Sequence, residues 1–181
     1  MKLILDIETQ NSFKDIGGMK LTNLLKSRFY TFVANSHFTK SFIDSEFGVD
    51  CHVIYPPIRT SLFTPGAKTN TIVYVGRFSH LTQLKNPHLL IESFRKIHSQ
   101  LPKWELVLAG GTGVGTLGSE MTKLQNAAKG LKVRIVPNPS LENLKKLYAR
   151  ARIFWSAAGL GANEAADPIK VAHFGITVVE A

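Results

Sequence analysis

Read for its alternation of hydrophobic and polar positions, the chain changes character near residue 70. Before that point the signals are short. Leu3-Ile4-Leu5 is an apolar run broken by Asp6 and Glu8. Thr31-Phe32-Val33 is β-branched and aromatic and ends at Asn35-Ser36, where Ser36 is placed to cap a helix through Phe42 and Ile43 that Gly48 closes. Val53-Ile54-Tyr55 reads as a short strand halted by Pro56-Pro57, since proline cannot donate to a sheet ladder. Residues 59–69, with Pro65-Gly66, read as a linker.

Beyond residue 70 the pattern is regular. Thr71-Ile72-Val73-Tyr74-Val75, residues 104–108, Val133-Arg134-Ile135-Val136 and Ile153-Phe154-Trp155 read as strands. Between them, Leu89, Leu90, Ile91, Phe94 and Ile97 recur at helical spacing, as do Met121, Leu124 and Ala128, and then Leu141, Leu144, Leu147 and Tyr148. Strands alternating with helices imply an α/β, doubly wound parallel sheet with helices on both faces. Such sheets bind ligands in the crevice beyond the carboxyl ends of their strands.

Composition narrows the classes. The 181 residues suit one domain, or one domain joined to part of another. No stretch approaches the roughly 20 apolar residues of a membrane helix, and the N-terminal run lacks a secretory core. A lone cysteine, Cys51, excludes an intramolecular disulfide and offers no metal cluster. A cytoplasmic setting is the default expectation. The net charge of +9 would suit nucleic acid, anionic lipid or a phosphorylated substrate. Its cations are scattered, however, and pairs such as Arg95-Lys96 and Lys145-Lys146 read as solvated helix faces. No nucleic-acid partner is expected, and peripheral contact with an anionic membrane stays open.

Three strand-end loops could carry chemistry. Gly76-Arg77, followed by Lys85-Asn86-Pro87 before a helix, offers close backbone approach and two cations for a diphosphate, or simply two exposed basic residues. Residues 110–115, which include Gly111, are glycine-rich, but their spacing is not that of a dinucleotide fingerprint. A turn without ligand fits as well as a phosphate cradle. Finally, Gly175 precedes a helix start at Ile176-Thr177-Val178 whose amides could face phosphate, with Glu180 able to accept from ribose hydroxyls or to face solvent.

Taken in order, Val75-Gly76-Arg77-Phe78-Ser79, the run from Lys85 to Ile91, Leu106-Val107-Leu108-Ala109-Gly110-Gly111 and the segment from His173 to Ala181 resemble family 4 glycosyltransferases. Residues 33–36 and 53–57 resemble the same family upstream. The resemblance implies the Rossmann-like, donor-binding half of a GT-B fold. It also implies retaining transfer of a hexose from a nucleotide-sugar donor to an acceptor such as a glycan or lipid-linked glycan. No metal or other cofactor is implied. Arg77 and Lys85 would hold the diphosphate and stabilise the departing nucleotide. Gly76, Gly111, Gly175 and the amides of Ile176, Thr177 and Val178 would line the donor, Pro137 and Asn138 would lie near its base, and Glu180 would grip the ribose.

Departures from the family qualify this expectation. The family's first glutamate, which contacts the donor sugar, falls on Ala172. The resemblance divides the chain into a remnant of the acceptor domain over residues 19–58, the linker 59–69 and a donor domain over 70–181 that stops short of the family's last strand and helix. The expected outcome is a chain inactive in isolation, or a non-catalytic nucleotide-sugar-binding or interaction module. Residues 1–18 stand apart as a leader. Their Asp6-Ile7-Glu8 resembles the first metal-binding motif of DnaQ-like exonucleases, without later carboxylates to complete it.

Overall fold

The structure, a computed structural model, describes residues 3–6, 29–78, 84–112, 118–171 and 174–181. It comprises two compact units, Met1–Pro57 and Ile58–Ala181.

In the first unit, β1 (Leu3–Asp6), β2 (Tyr30–Ala34) and β3 (His52–Val53) form a parallel sheet in the order β1-β2-β3. Helix α1 (His37–Phe47) follows the sequence pattern: the Ser36 hydroxyl accepts from the Thr39 amide at 3.1 Å, and Gly48 closes the helix at φ 62°. Phe32, Ala34, Ile43, Phe47 and Cys51 form its core. Two expectations change. The leader is not without a partner, because Leu3–Asp6 pairs in register with residues 30–33, its apolar run supplying an extended backbone ladder. The strand expected through Tyr55 ends at Val53, leaving Ile54 and Tyr55 exposed.

The second unit holds β4 (Thr71–Val75), α2 (Pro87–Ile97), β5 (Glu105–Gly110), α3 (Gly118–Ala128), β6 (Val133–Pro137), α4 (Leu141–Arg150), β7 (Ile153–Phe154) and α5 (Ile176–Glu180). Every strand pairing is parallel, in the order β6-β5-β4-β7. All five residues of β4 are buried, as expected for a central strand covered on both faces. Ile72, Tyr74, Leu106 and Leu108 pack with Leu90, Ile91 and Phe94 of α2 and Leu124 of α3. On the opposite face Val73, Val75, Val107 and Ala109 pack with Tyr148 of α4. Fully burying a side chain such as Ile91 or Phe94 contributes about 1.5–3 kcal/mol. The doubly wound α/β expectation is met.

The expected linker is instead part of this unit. The amides of Gly66 and Thr69 donate to Ala149 O at 3.1 Å and Arg150 O at 2.8 Å, and Phe63 meets Tyr148 edge-on with ring centroids 5.2 Å apart. The last carbonyls of α4 lack helical partners, and the incoming chain supplies them.

Candidate functional site

Strand β4 is the switch point of the sheet: the chain crosses to β5 on one side and returns as β7 on the other. Its carboxyl end delivers Gly76 and Arg77. The neighbouring strand ends are tied to it by backbone bonds. The Gly76 amide donates to Ala109 O at 3.0 Å, the Phe78 amide to Gly111 O at 3.0 Å, and the Asn138 amide to Gly110 O at 2.7 Å. Asn138, at φ 48°, adds its side chain, accepting from the Thr112 amide at 2.8 Å and donating to the Thr112 hydroxyl at 2.6 Å. Gly76, Gly111, Pro137 and Asn138 thus belong to one rim.

That rim depends on missing side chains. A Cβ on Gly110 would lie 1.7 Å from Gly76 O, and one on Gly76 would lie 2.4 Å from the Tyr74 hydroxyl. The Tyr74 hydroxyl donates to Arg77 O at 3.3 Å, so the buried phenol supports the turn that carries the arginine. The glycine-rich reading named Gly111. Gly110 is the glycine whose Cβ would collide, and the pairing of Ala109 with Val75 at adjacent strand ends is the signal that picks it out.

The second cation arrives from the segment before α2. Leu84 donates to Lys170 O at 3.0 Å and accepts from the Gly159 amide at 2.7 Å. Asn86, buried at φ 47°, donates its side-chain amide to Ala157 O at 3.2 Å and Leu160 O at 3.0 Å. Lys85 is therefore clamped on both sides to the loop leaving β7. Burial first, and the Arg77 guanidinium second, hold its ammonium below the usual lysine range. Arg77 and Lys85 are thus near enough for the guanidinium to depress the lysine, two cations at the switch point. Sequence reasoning quoted Asn86 without a role; its position between the lysine and a proline at the helix start was the available signal.

Glu180 has another partner. The buried Tyr148 hydroxyl donates to its carboxylate at 2.9 Å and approaches Thr177 O at 3.4 Å, and burial followed by Glu180 raises the Tyr148 pKa. Sequence reasoning missed Tyr148 as the residue that holds α5 to the sheet. Helix α5 spans five residues after Gly175. The Ile176 amide donates to Phe174 O at 3.2 Å and the Val178 amide to Gly175 O at 2.9 Å, so these two amides are used within the turn. Ala172 and Glu8 lie outside the described residues. Among the described residues no group of three or more His, Cys, Asp or Glu could hold a metal ion, and no helix is long and apolar enough to cross a membrane.

Comparison with known proteins bears on this arrangement. No curated protein matches significantly in sequence. The structure is similar to TarM, with a TM-score of 0.55 and 16% identity, covering 73% of this chain and 26% of that one. It is also similar to the pneumococcal O-GlcNAc transferase GtfA, solved in complex with UDP and GlcNAc, with a TM-score of 0.57 and 16% identity, covering 90% of this chain and 29% of that one. The chain thus spans between a quarter and a third of the length of these structures, which share its fold. Residues 63–181, about two thirds of the chain, match the family model described as glycosyl transferases group 1. The chain belongs to the group 1 glycosyltransferases.

Proposed function

We propose that the second unit binds the diphosphate of a nucleotide-sugar donor at the carboxyl end of β4, as the donor half of a retaining hexosyltransferase. The observation that carries this reading is Arg77 leaving the carboxyl end of β4 at the switch point, with Lys85 held by its clamped neighbours Leu84 and Asn86 near enough to feel the guanidinium. Two cations, one of them partly desolvated, favour an anion between them, and a diphosphate has the charge and reach to meet both. As the sugar's bond to the diphosphate breaks, the same cations offset the charge growing on the departing oxygen. GtfA, whose structure holds UDP and GlcNAc, supports a nucleoside diphosphate as the bound group.

Isothermal calorimetry with GDP, UDP and ADP tests the reading. At least one should bind, and Lys85→Ala should weaken it about tenfold or more, the loss expected for one charged hydrogen-bonding partner. Equal affinity in parent and variant would remove the site from this loop. A binding module without transfer is the second reading, favoured by Ala172 at the family's glutamate position. Under it, the sugar donor and the bare diphosphate titrate with the same affinity; tighter binding of the sugar donor argues against it.

A further inference from the structure

Along α4 and the edge strand β6 lies a cavity of about 520 Å³, lined from Thr69 and Thr71 at the amino end of β4 to Val136 near the carboxyl end of β6, that the donor reading does not use. Thr71 and Glu105, the first residues of β4 and β5, and Arg134 near the start of β6 form its floor. Asn143, Lys146 and Arg150 of α4 form its wall. Its volume falls within the roughly 300–1,000 Å³ typical of small-molecule sites.

The charges in this cavity are unbalanced. Three cations face one carboxylate, and that carboxylate is already engaged: Glu105 accepts from the Thr71 hydroxyl at 3.0 Å and lies 3.6 Å from the Arg134 guanidinium. Lys146 and Arg150 stand four residues apart on one helix face, a spacing at which like charges destabilise a helix. Among the described residues neither is paired with an acidic side chain. The adjacent lysine differs. Lys145, which does not line the cavity, pairs with Glu142 at 2.9 Å, so the helix neutralises the lysine outside the cavity and leaves the one lining it uncompensated.

We propose that this cavity is a second anion site, which takes a small soluble ligand carrying two or more phosphate or carboxylate groups. Arg134 and Arg150 grip the ligand from the strand side and the helix side, forks suited to planar or tetrahedral oxyanions. Lys146 adds a third charge, and the Asn143 amide adds a neutral donor. Its cations, Arg134, Lys146 and Arg150, are other residues than Arg77 and Lys85, and the site does not depend on the donor reading.

The test follows inorganic pyrophosphate by heteronuclear NMR at about 0.15 M salt, where weak long-range attraction is screened. Lys85→Ala in the full chain weakens the other diphosphate site, so that the two are told apart by which amide signals shift. Pyrophosphate should then shift the amide signals of Asn143, Lys146 and Arg150 in a saturable way. Arg134→Gln and Arg150→Gln should each raise its Kd about tenfold or more, with the thermal midpoint held near that of the parent because both side chains are exposed. No saturable shift in the Lys85→Ala chain overturns the proposal, as does unchanged affinity in both glutamine variants. Phosphatidylglycerol vesicles form a second arm: cosedimentation that depends on Arg134 and Arg150 without pyrophosphate binding would replace the soluble ligand with a lipid headgroup.

Discussion

Lys85 shows how a single residue ties sequence to chemistry. Its lowered pKa, caused first by burial and then by Arg77, means that the charged form is held where it is disfavoured. For stability the sign follows: the contribution of this group is greatest above the ordinary lysine pKa of about 10.4 and is lost as pH falls through the lowered folded value. For binding the sign reverses, because a bound diphosphate favours the charged form and lifts the pKa back. Nucleoside diphosphate affinity should therefore fall as pH rises from neutral towards the ordinary lysine pKa, with proton uptake on binding in that window. Calorimetry in buffers of different ionisation heat reads both. Lys85→Arg, whose guanidinium stays charged, should flatten the profile. A parent profile already flat across that window would show that Lys85 does not meet the phosphate.

Among the elements, the carboxyl ends of β4 and β5 approach so closely that only backbone fits between them. Gly110→Ala places a Cβ 1.7 Å from Gly76 O, a backbone atom that cannot swing aside as a side-chain tip would. The two strand ends must part, breaking the bonds that join residues 76–78 to 109–111. The expected cost is about 3 kcal/mol, the upper range for overpacking, read as a lower urea midpoint together with weaker diphosphate binding. A Gly110→Ala variant as stable as the parent would mean that the rim yields more easily than its geometry shows.

What was legible in the sequence follows from the range of the interactions. Ser36 and Gly48 bound α1 through contacts within three or four residues, so a local pattern sufficed. The central strands β4 and β5 were legible because a strand covered on both faces is nearly continuously apolar. The role of Asn86 was not legible because its carbonyl partners lie 71 and 74 residues away, nor that of Tyr148, because Glu180 lies 32 residues away. The stretch around Pro65-Gly66 looked like a linker because its attachment to α4 runs largely through backbone atoms, which composition does not record.

At the scale of the whole molecule, the two sheets share no strand, and the second unit supplies its own cover on both faces. Helices α2 and α3 bury one face of β4 and β5. Helix α4 buries the other, with Phe63 and the residue 66–69 backbone completing its far end. Arg77, Lys85, Gly111 and Asn138 all fall within Ile58–Ala181, as do the bonds that position them. A chain beginning at Ile58 should consequently fold alone, with a cooperative thermal transition close to that of the second unit in the full chain. It should bind nucleoside diphosphate within about twofold of the full chain, since no contact that positions the cations is removed. A chain cut instead at Asn70 would lose Phe63 and the two amides that meet Ala149 and Arg150. It should melt at a lower temperature, because the end of α4 would be left with unpaired carbonyls and one fewer aromatic contact for Tyr148. Circular dichroism melts of the two shortened chains read the difference. Equal melting temperatures would show that residues 58–69 are a linker after all, and loss of diphosphate binding in the chain from Ile58 would show that the donor site needs the first unit.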